Sequence, residues 1–421
     1  MNAPTHHGER TAHLDTAGTG RMPDAVRTVL ARCTALDDRL GTAALQESLG
    51  DVLHTRIHER LGALLSVPAA DTILATGAAQ AFEAYLHGIT PGPGDRIWTT
   101  PHEGVANLTA LHALRDRTRC RLEVVPLRPD GDLDLDWMRT HLDEDVALVS
   151  AVHLSPACGT VNPVHDIGRL LAPHRARYTV DASHSAGRLP VDAARIGCHL
   201  LTADGWRFLR GPHTTGFAYI APTPHLAPDA APYRAAAPEP AAVAALDAAL
   251  AHHTATARPP HEDLLPLLRA AVRHTPGMEL LAGGQEQAAI LAFRHAQIPA
   301  AAIRRGLARR GVVLAKTVAH ETPLHPAGRV TAPALRASLH HDNTAQDIDR
   351  FRQALAEVLL EERGAAAHPA RPARGALAAA GAATTPLGPA GRAGPGGSGA
   401  PSPYRARPVR RRGHLTLHRA T

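Results

Sequence analysis

Between residues 21 and 220 short apolar runs alternate with stretches whose apolar positions recur at helical spacing. The segments 71–75, 95–99, 121–126, 147–154, 178–181, 199–203 and 216–220 read as strands. They are short apolar runs. Helices are predicted over 78–88 and 105–117. Strands alternating with helices predict an α/β fold, with a mostly parallel sheet covered on both faces. A ligand site is expected beyond the carboxyl ends of its strands. Farther on, Pro- and Ala-rich residues 223–240 read as a crossover and 241–258 as a helix. Residues 288–294, 312–316 and 334–339 read as strands of a smaller α+β domain. A closing amphipathic helix over 347–363 puts Ile348, Phe351, Leu355, Val358 and Leu359 on one face. Beyond 364 the periodicity stops and Ala, Pro, Gly and Arg dominate, so a disordered tail is expected. The division is thus an N-terminal arm (1–20), a large domain (21–222), a small C-terminal domain (223–363) and a tail (364–421).

The 421 residues suffice for two domains with real cores. No apolar run of about 18 residues occurs, and the start MNAPTHHGERTAHLD has no apolar stretch. Neither a membrane span nor a secretory leader is expected, and the location read from this is cytoplasmic. The net charge of +6 is uneven: residues 364–421 hold nine arginines and no acid, which leaves residues 1–363 at −3. The basic balance therefore belongs to the tail and does not mark the folded body as a nucleic-acid binder. An arginine-rich arm around Arg410, Arg411 and Arg412 is one reading of that tail, but only Tyr404 offers an aromatic platform beside it. Nucleic acid is not expected as a partner. Cys33, Cys120, Cys158 and Cys198 form no C-x-x-C pair, and no H-E-x-x-H spacing occurs among the 28 histidines. Free thiols and no metal are expected. Of the 45 basic residues only Lys316 is a lysine.

Three segments carry most of the remaining information. They are 179–192 (TVDASHSAGRLPVD), 208–217 (FLRGPHTTGF) and 335–344 (LRASLHHDNT), preceded by Gly92-Pro93-Gly94-Asp95 and by Gly159-Thr160-Val161-Asn162-Pro163-Val164. In order and spacing, over about residues 13–360, the chain resembles class V aminotransferases of pyridoxal-phosphate (PLP) fold type I. That set includes cysteine desulfurases, isopenicillin-N-epimerase-like proteins and ergothioneine-pathway C–S lyases. The resemblance implies a seven-stranded large domain, a small C-terminal domain, a PLP cofactor and a homodimer with the site at the subunit interface.

Carried over by that resemblance, Asp181 matches the carboxylate that keeps the pyridine nitrogen protonated so that the ring acts as an electron sink. His184 falls where relatives contact the ring's 3′-oxygen. Arg336 matches the arginine whose planar fork clamps a substrate carboxylate. The pattern then breaks. Arg207 holds the place of the Schiff-base lysine, and a guanidinium stays protonated and forms no imine. The phosphate turn reads Gly77-Ala78-Ala79-Gln80, so Ala78 and Ala79 supply no hydroxyl, although the amides of the following helix remain available to an anion. Asp204 replaces a phosphate-contacting Ser or Thr, and Trp206 replaces a His or Arg. Gly104 stands where relatives stack a ring on the cofactor, and Pro156 where many have Asn. No cysteine follows Cys198, where desulfurases carry a mobile one. Lys316, in the small domain, is the only lysine available as a stand-in, and it reads as an exposed strand-end residue.

The expectation is a degenerate class V protein without a PLP Schiff base, its PLP lost or bound non-covalently. It would bind a carboxylate-bearing metabolite or pair with an active paralogue, as a homodimer or heterodimer. The alternative is a working PLP-dependent lyase, epimerase or aminotransferase acting on a small amino acid or thioether.

Overall fold

The computed structural model describes residues 11–222, 237–256, 264–281, 283–317, 321–325 and 333–367. Most of the expected crossover, and the tail from 368 onward, lie outside the described residues.

The chain enters through a two-residue strand β1 (Ala12–His13), then helices α1 (Asp24–Leu40), α2 (Thr42–Ser48) and α3 (Ile57–Leu65). Strand β2 (Thr72–Ala75) and helix α4 (Ala78–His87) follow, then β3 (Arg96–Thr99), α5 (Val105–Thr118) and β4 (Arg121–Val124). Next come α6 (Leu135–His141), β5 (Val146–Val152), α7 (Val164–Leu171), β6 (Arg177–Asp181), α8 (Ala193–Ile196), β7 (Leu200–Asp204) and β8 (Gly216–Ile220). Strands β2 to β8 form one seven-stranded sheet in the order β2-β8-β7-β6-β5-β3-β4. The contacts from β7 through β4 are parallel, and β8 runs antiparallel to both its neighbours β2 and β7. All seven expected strands are present in this sheet, within a residue or two of the predicted bounds.

The central strands are buried on both faces, so they read as apolar runs without alternation. One face packs Trp98, Val149, Tyr178, Val180 and Leu201 against α3, α7 and α9 (Pro240–Thr256). The other packs Ile97, Leu148 and Leu200 against Phe82 and Tyr85 of α4 and Leu111 of α5. Helix α9 lies C-terminal to residue 222, yet its Val243, Leu246 and Leu250 belong to the large core. The two cores therefore do not divide at one point in the chain.

The remaining helices and strands are α10 (Leu265–Arg273), β9 (Met278–Leu280), β10 (Ile290–His295), α11 (Ala300–Arg309), β11 (Val312–Val313), β12 (Ala315–Thr317), β13 (Ala334–Ser338) and α12 (Ala345–Ala367). Four of these strands form an antiparallel sheet in the order β12-β13-β10-β9. On α12 the expected face is buried: Ile348, Phe351, Leu355, Val358 and Leu359 are at most 5% exposed. Each such burial is worth about 1.5–3 kcal/mol of transfer free energy. The strand expected over 312–316 is divided instead. β11 pairs in parallel with β1, and β12 joins the small sheet, with buried Leu314 at the switch between them. The N-terminal strand thus belongs to the small core, where Ala12 and Leu14 pack beside Val312 and Leu335. Among the described residues no helix is long and apolar enough to cross a membrane.

Candidate ligand cavity at the carboxyl ends of the parallel strands

Strands β2, β3, β5, β6 and β7 end together, and the loops that leave them enclose a cavity of about 570 Å³. β2 delivers Gly77 to Ala79, β3 the Gly104 to Asn107 segment, β5 Pro156, β6 Asp181 to His184, and β7 Asp204 to Arg207. Arg336 on β13 and Glu321 close it from the small sheet. Every residue singled out as a site position, apart from Lys316, lines this one space. Lys316 pairs across the ladder with Leu335, whereas Ala315 pairs with Arg336. Directly opposed residues share a face of a sheet, so Lys316 points away from the face that carries Arg336.

Glycine permits the close approaches that shape the α4 end. A Cβ on Gly216, at the start of β8, would lie 2.6 Å from the Gly77 backbone. A Cβ on Gly20 would lie 2.0 Å from the Arg207 carbonyl oxygen, because the N-terminal segment crosses directly over Trp206–Arg207. Gly20 N–H donates to the Trp206 carbonyl at 3.1 Å.

At this end the polar groups satisfy one another. The Ala78 amide, in the first turn of α4, donates to Asp204 Oδ1 at 3.0 Å. Arg207 Nε donates to Asp204 Oδ2 at 2.8 Å, and its Nη1 donates to the Ala17 carbonyl at 2.5 Å. The guanidinium also lies over the Trp206 ring, 4.1 Å from its centroid. A helix N-terminus attracts an anion, and here the anion on the Ala78 amide is the chain's own carboxylate. The Asp204 and Arg207 side chains are 12% and 19% exposed, so the pair is largely desolvated.

Deeper in, the Asp181 carboxylate accepts from Ser183 N–H at 2.8 Å and from Asn107 Nδ2 at 3.0 Å. Burial raises its pKa, with Asp204 adding to the rise and the Ser183 hydrogen bonds and Arg207 opposing it. Asn107 Nδ2 also donates to Glu103 Oε1 at 3.0 Å. Glu103 Oε2 accepts from Thr99 Oγ1 at 3.1 Å and Ser150 Oγ at 3.0 Å. Glu103 is fully buried, and burial, then the Asp181 charge, pushes its pKa up to about 7. Glu103 is not marked as a site residue by the sequence. Its only local signal was the i, i+4 spacing to Asn107 at the start of α5, a pairing that says nothing of Asp181.

At the β13 end Arg336 Nη1 donates to the Pro156 carbonyl at 3.1 Å. Its carboxylate neighbours are more distant: Asp15 at 3.7 Å and Glu321 at 3.9 Å. Among the described residues Arg336 Nε is buried without a hydrogen-bond partner, and so is His184 Nε2. Burial, then Arg207 and Arg336, hold the His184 pKa well below the usual imidazole range, so its ring is neutral. The arrangement offers a guanidinium and a neutral imidazole with unused polar atoms in a cleft open on one side. Such a pair suits a small anionic group.

The aminotransferase class-V family model matches residues 12–351. A probable cysteine desulfurase from Xylella fastidiosa (strain 9a5c) is 30% identical over 221 residues, which span 50% of this chain and 51% of that protein. This chain thus spans about half the length of that curated relative. A cysteine desulfurase from Klebsiella pneumoniae (strain 342) is 26% identical over 84% of this chain and 94% of its own length. Among solved structures, a cysteine desulfurase from Escherichia coli has a TM-score of 0.73 at 20% identity, covering 83% of this chain and 95% of that one. A complex of a cystine C–S lyase with cysteine persulfide has a TM-score of 0.71 at 19% identity, covering 82% and 97%. At these identities the likeness of structure speaks for the fold, which is that of PLP-dependent fold type I proteins.

Proposed function

The chain belongs to the aminotransferase class-V family, and from that premise we propose that it is a member without a PLP Schiff base, whose cavity binds a small carboxylate-bearing metabolite. One observation carries the first half: the Ala78 amide, Asp204 and Arg207 form a closed hydrogen-bonded set where an anionic cofactor group and a lysine would otherwise be needed. The residues present do not fit PLP held through an imine. Arg207 has no free amine. The only lysine, Lys316, does not line the cavity. Asp204 brings a negative charge to the helix terminus that a phosphate would need. No step is therefore assigned to the cofactor. Asp181, retained at the end of β6, supports common descent with cofactor-binding relatives and is satisfied here by Ser183 and Asn107.

The second half rests on Arg336 Nε and His184 Nε2, buried atoms without a hydrogen-bond partner among the described residues. Arg336 would take the metabolite carboxylate, with neutral His184 beside it. By the family resemblance the protein would act as a dimer, with itself or with a paralogue, and sedimentation alone and after mixing with the paralogue tests that part.

The deciding experiment adds PLP to the full-length protein, reduces with borohydride and maps the peptides by mass spectrometry. No pyridoxyl adduct is expected. An adduct on Lys316, together with a spectral response to amino acids, would overturn the reading in favour of a working enzyme. In parallel, calorimetry against a panel of small amino and hydroxy acids should find a carboxylate ligand. Arg336→Gln should weaken it about 10- to 100-fold, the value of a charge-assisted hydrogen bond of roughly 1.5–3 kcal/mol. Unchanged affinity in Arg336→Gln would remove Arg336 from the site.

A further inference from the structure

Outside the lining of the cavity, three residues far apart in sequence meet. His102 comes from the loop after β3, Cys158 from the loop after β5, and His325 from the segment between β12 and β13. All three are buried, at 1%, 1% and 8% exposure. One ligand-capable atom from each lies within 4.8 Å of the others. None of the three lines the cavity.

We propose that His102, Cys158 and His325 bind one zinc ion. Neighbouring residues set their protonation for this. Asn162 Nδ2 donates to the Val152 carbonyl at 2.6 Å, which leaves Asn162 Oδ1 as the acceptor facing His102 Nδ1 at 3.1 Å. His102 Nδ1 therefore carries the proton and Nε2 the free lone pair. Metal-binding histidines are commonly oriented by such a partner on the second ring nitrogen. Among the described residues His325 Nδ1 is buried with no hydrogen-bond partner, an unmet cost that a cation bound there would remove. Around the sulfur, the Cys158 thiol donates to Ser155 Oγ at 3.3 Å, a hydroxyl that can turn to donate to a thiolate once the thiol proton has left to solvent, while Thr160 Oγ1, at 3.2 Å, gives its own proton to the Gly283 carbonyl.

A thiolate with two imidazoles selects a borderline-soft transition ion over magnesium or calcium, which prefer oxygen. With zinc–sulfur about 2.3 Å and zinc–nitrogen about 2.0–2.1 Å, tetrahedral ligand atoms stand roughly 3.3–3.7 Å apart. An inward shift of about 1 Å, shared among the three loops, completes the site. Three protein ligands leave the fourth position to water. The ion would join the 321–325 segment to the large sheet. That segment also carries Glu321, 3.9 Å from Arg336, so the ion would hold one wall of the cavity in place. The proposal is independent of whether the cavity takes a cofactor.

The test strips the full-length protein with a chelator and titrates it with Co²⁺ alone, then with Zn²⁺. One equivalent of Co²⁺ should produce a thiolate-to-cobalt charge-transfer band, and one equivalent of Zn²⁺ should abolish it. Cys158→Ser should lose the band. His325→Gln should weaken Co²⁺ by more than the roughly ten-fold expected for loss of an outer partner such as Asn162. Should Cys158→Ser fail to fold, His325→Gln and protection of Cys158 from alkylation by Zn²⁺ decide the matter. Co²⁺ uptake without a thiolate band, a band that survives Cys158→Ser, or failure of Zn²⁺ to displace Co²⁺ would each overturn the zinc site.

Discussion

At the α4 end of the cavity a helix amide, Asp204, Arg207 and the Ala17 carbonyl close on one another, and the pair is sandwiched under the N-terminal segment. At the β13 end, among the described residues, Arg336 has carboxylates only at 3.7 and 3.9 Å, and Arg336 Nε and His184 Nε2 stay without partners. Both ends bury an arginine in the same space. The difference is that the first arginine is matched by a group on its own turn, three residues back in the chain, while the second faces acids that only tertiary packing brings near. A buried charge needs a partner. Where the chain supplies it, the site is structural, and where the chain withholds it, the site is available to a ligand.

The largest expected effect breaks the closed end. Arg207→Ala leaves Asp204 with the Ala78 amide alone and should cost about 3 kcal/mol, as for other buried pairs that lose one partner. Urea unfolding measures it. The double variant Asp204→Ser with Arg207→Met should recover much of that loss, and a cost of Arg207→Ala below about 1 kcal/mol would place the pair among weak surface bridges instead.

A second variant separates the buried Glu103–Asn107 network behind the cavity wall from both ends. Glu103 titrates near pH 7 when folded and has an ordinary value of 4.5. The folded state therefore holds this proton more tightly. Its contribution to stability is fully present below pH 4.5 and is lost as pH rises through 7, with an upper bound of about 3 kcal/mol. Glu103→Gln keeps the hydrogen bonds, because Thr99 and Ser150 hydroxyls can accept as well as donate. It should flatten the decline between pH 5 and 8, measured by denaturant midpoints across that range. A variant as pH-sensitive as the parent would deny Glu103 this role. Asp181, whose pKa is also raised by burial, adds in the same direction and leaves a residual slope.

The smallest effect sharpens the comparison. Asp204→Ser removes the internal anion and leaves the Ala78 amide and Arg207 Nε without it, while Arg207 Nη1 stays on the Ala17 carbonyl. The variant should bind inorganic phosphate at millimolar level, a free energy of about 4 kcal/mol, where the parent binds none detectably by calorimetry. Equal phosphate binding by both would mean that Asp204 does not occupy the anion position.

The sheet was legible in the chain because each central strand is buried on two faces and so shows as a compact apolar run, from 71–75 through 216–220. The closing helix was legible because one face alone is covered. Less legible was the strand over 312–316, where two short pairings with different partners look like one continuous run. Asp181, His184, Asp204, Trp206, Arg207 and Arg336 were picked out by motif order, and the cavity gathers all of them. Their energetic roles could not be read the same way. That Asp204 meets the Ala78 amide depends on β7 and β2 ending side by side across β8, a matter of sheet order.

Chain order alone thus carried the fold class, the succession of strands and the absence of any lysine but Lys316. These are properties of local pattern and composition, and hydrophobic periodicity writes them along the chain. Which buried charges find partners belonged to the folded molecule. The Glu103–Asn107–Asp181 contact spans 78 positions in the numbering, and the meeting of His102, Cys158 and His325 spans more than two hundred. Electrostatic and hydrogen-bond energies act over a few ångströms in space, and nothing in linear spacing reports which distant side chains the sheet order will bring within that reach.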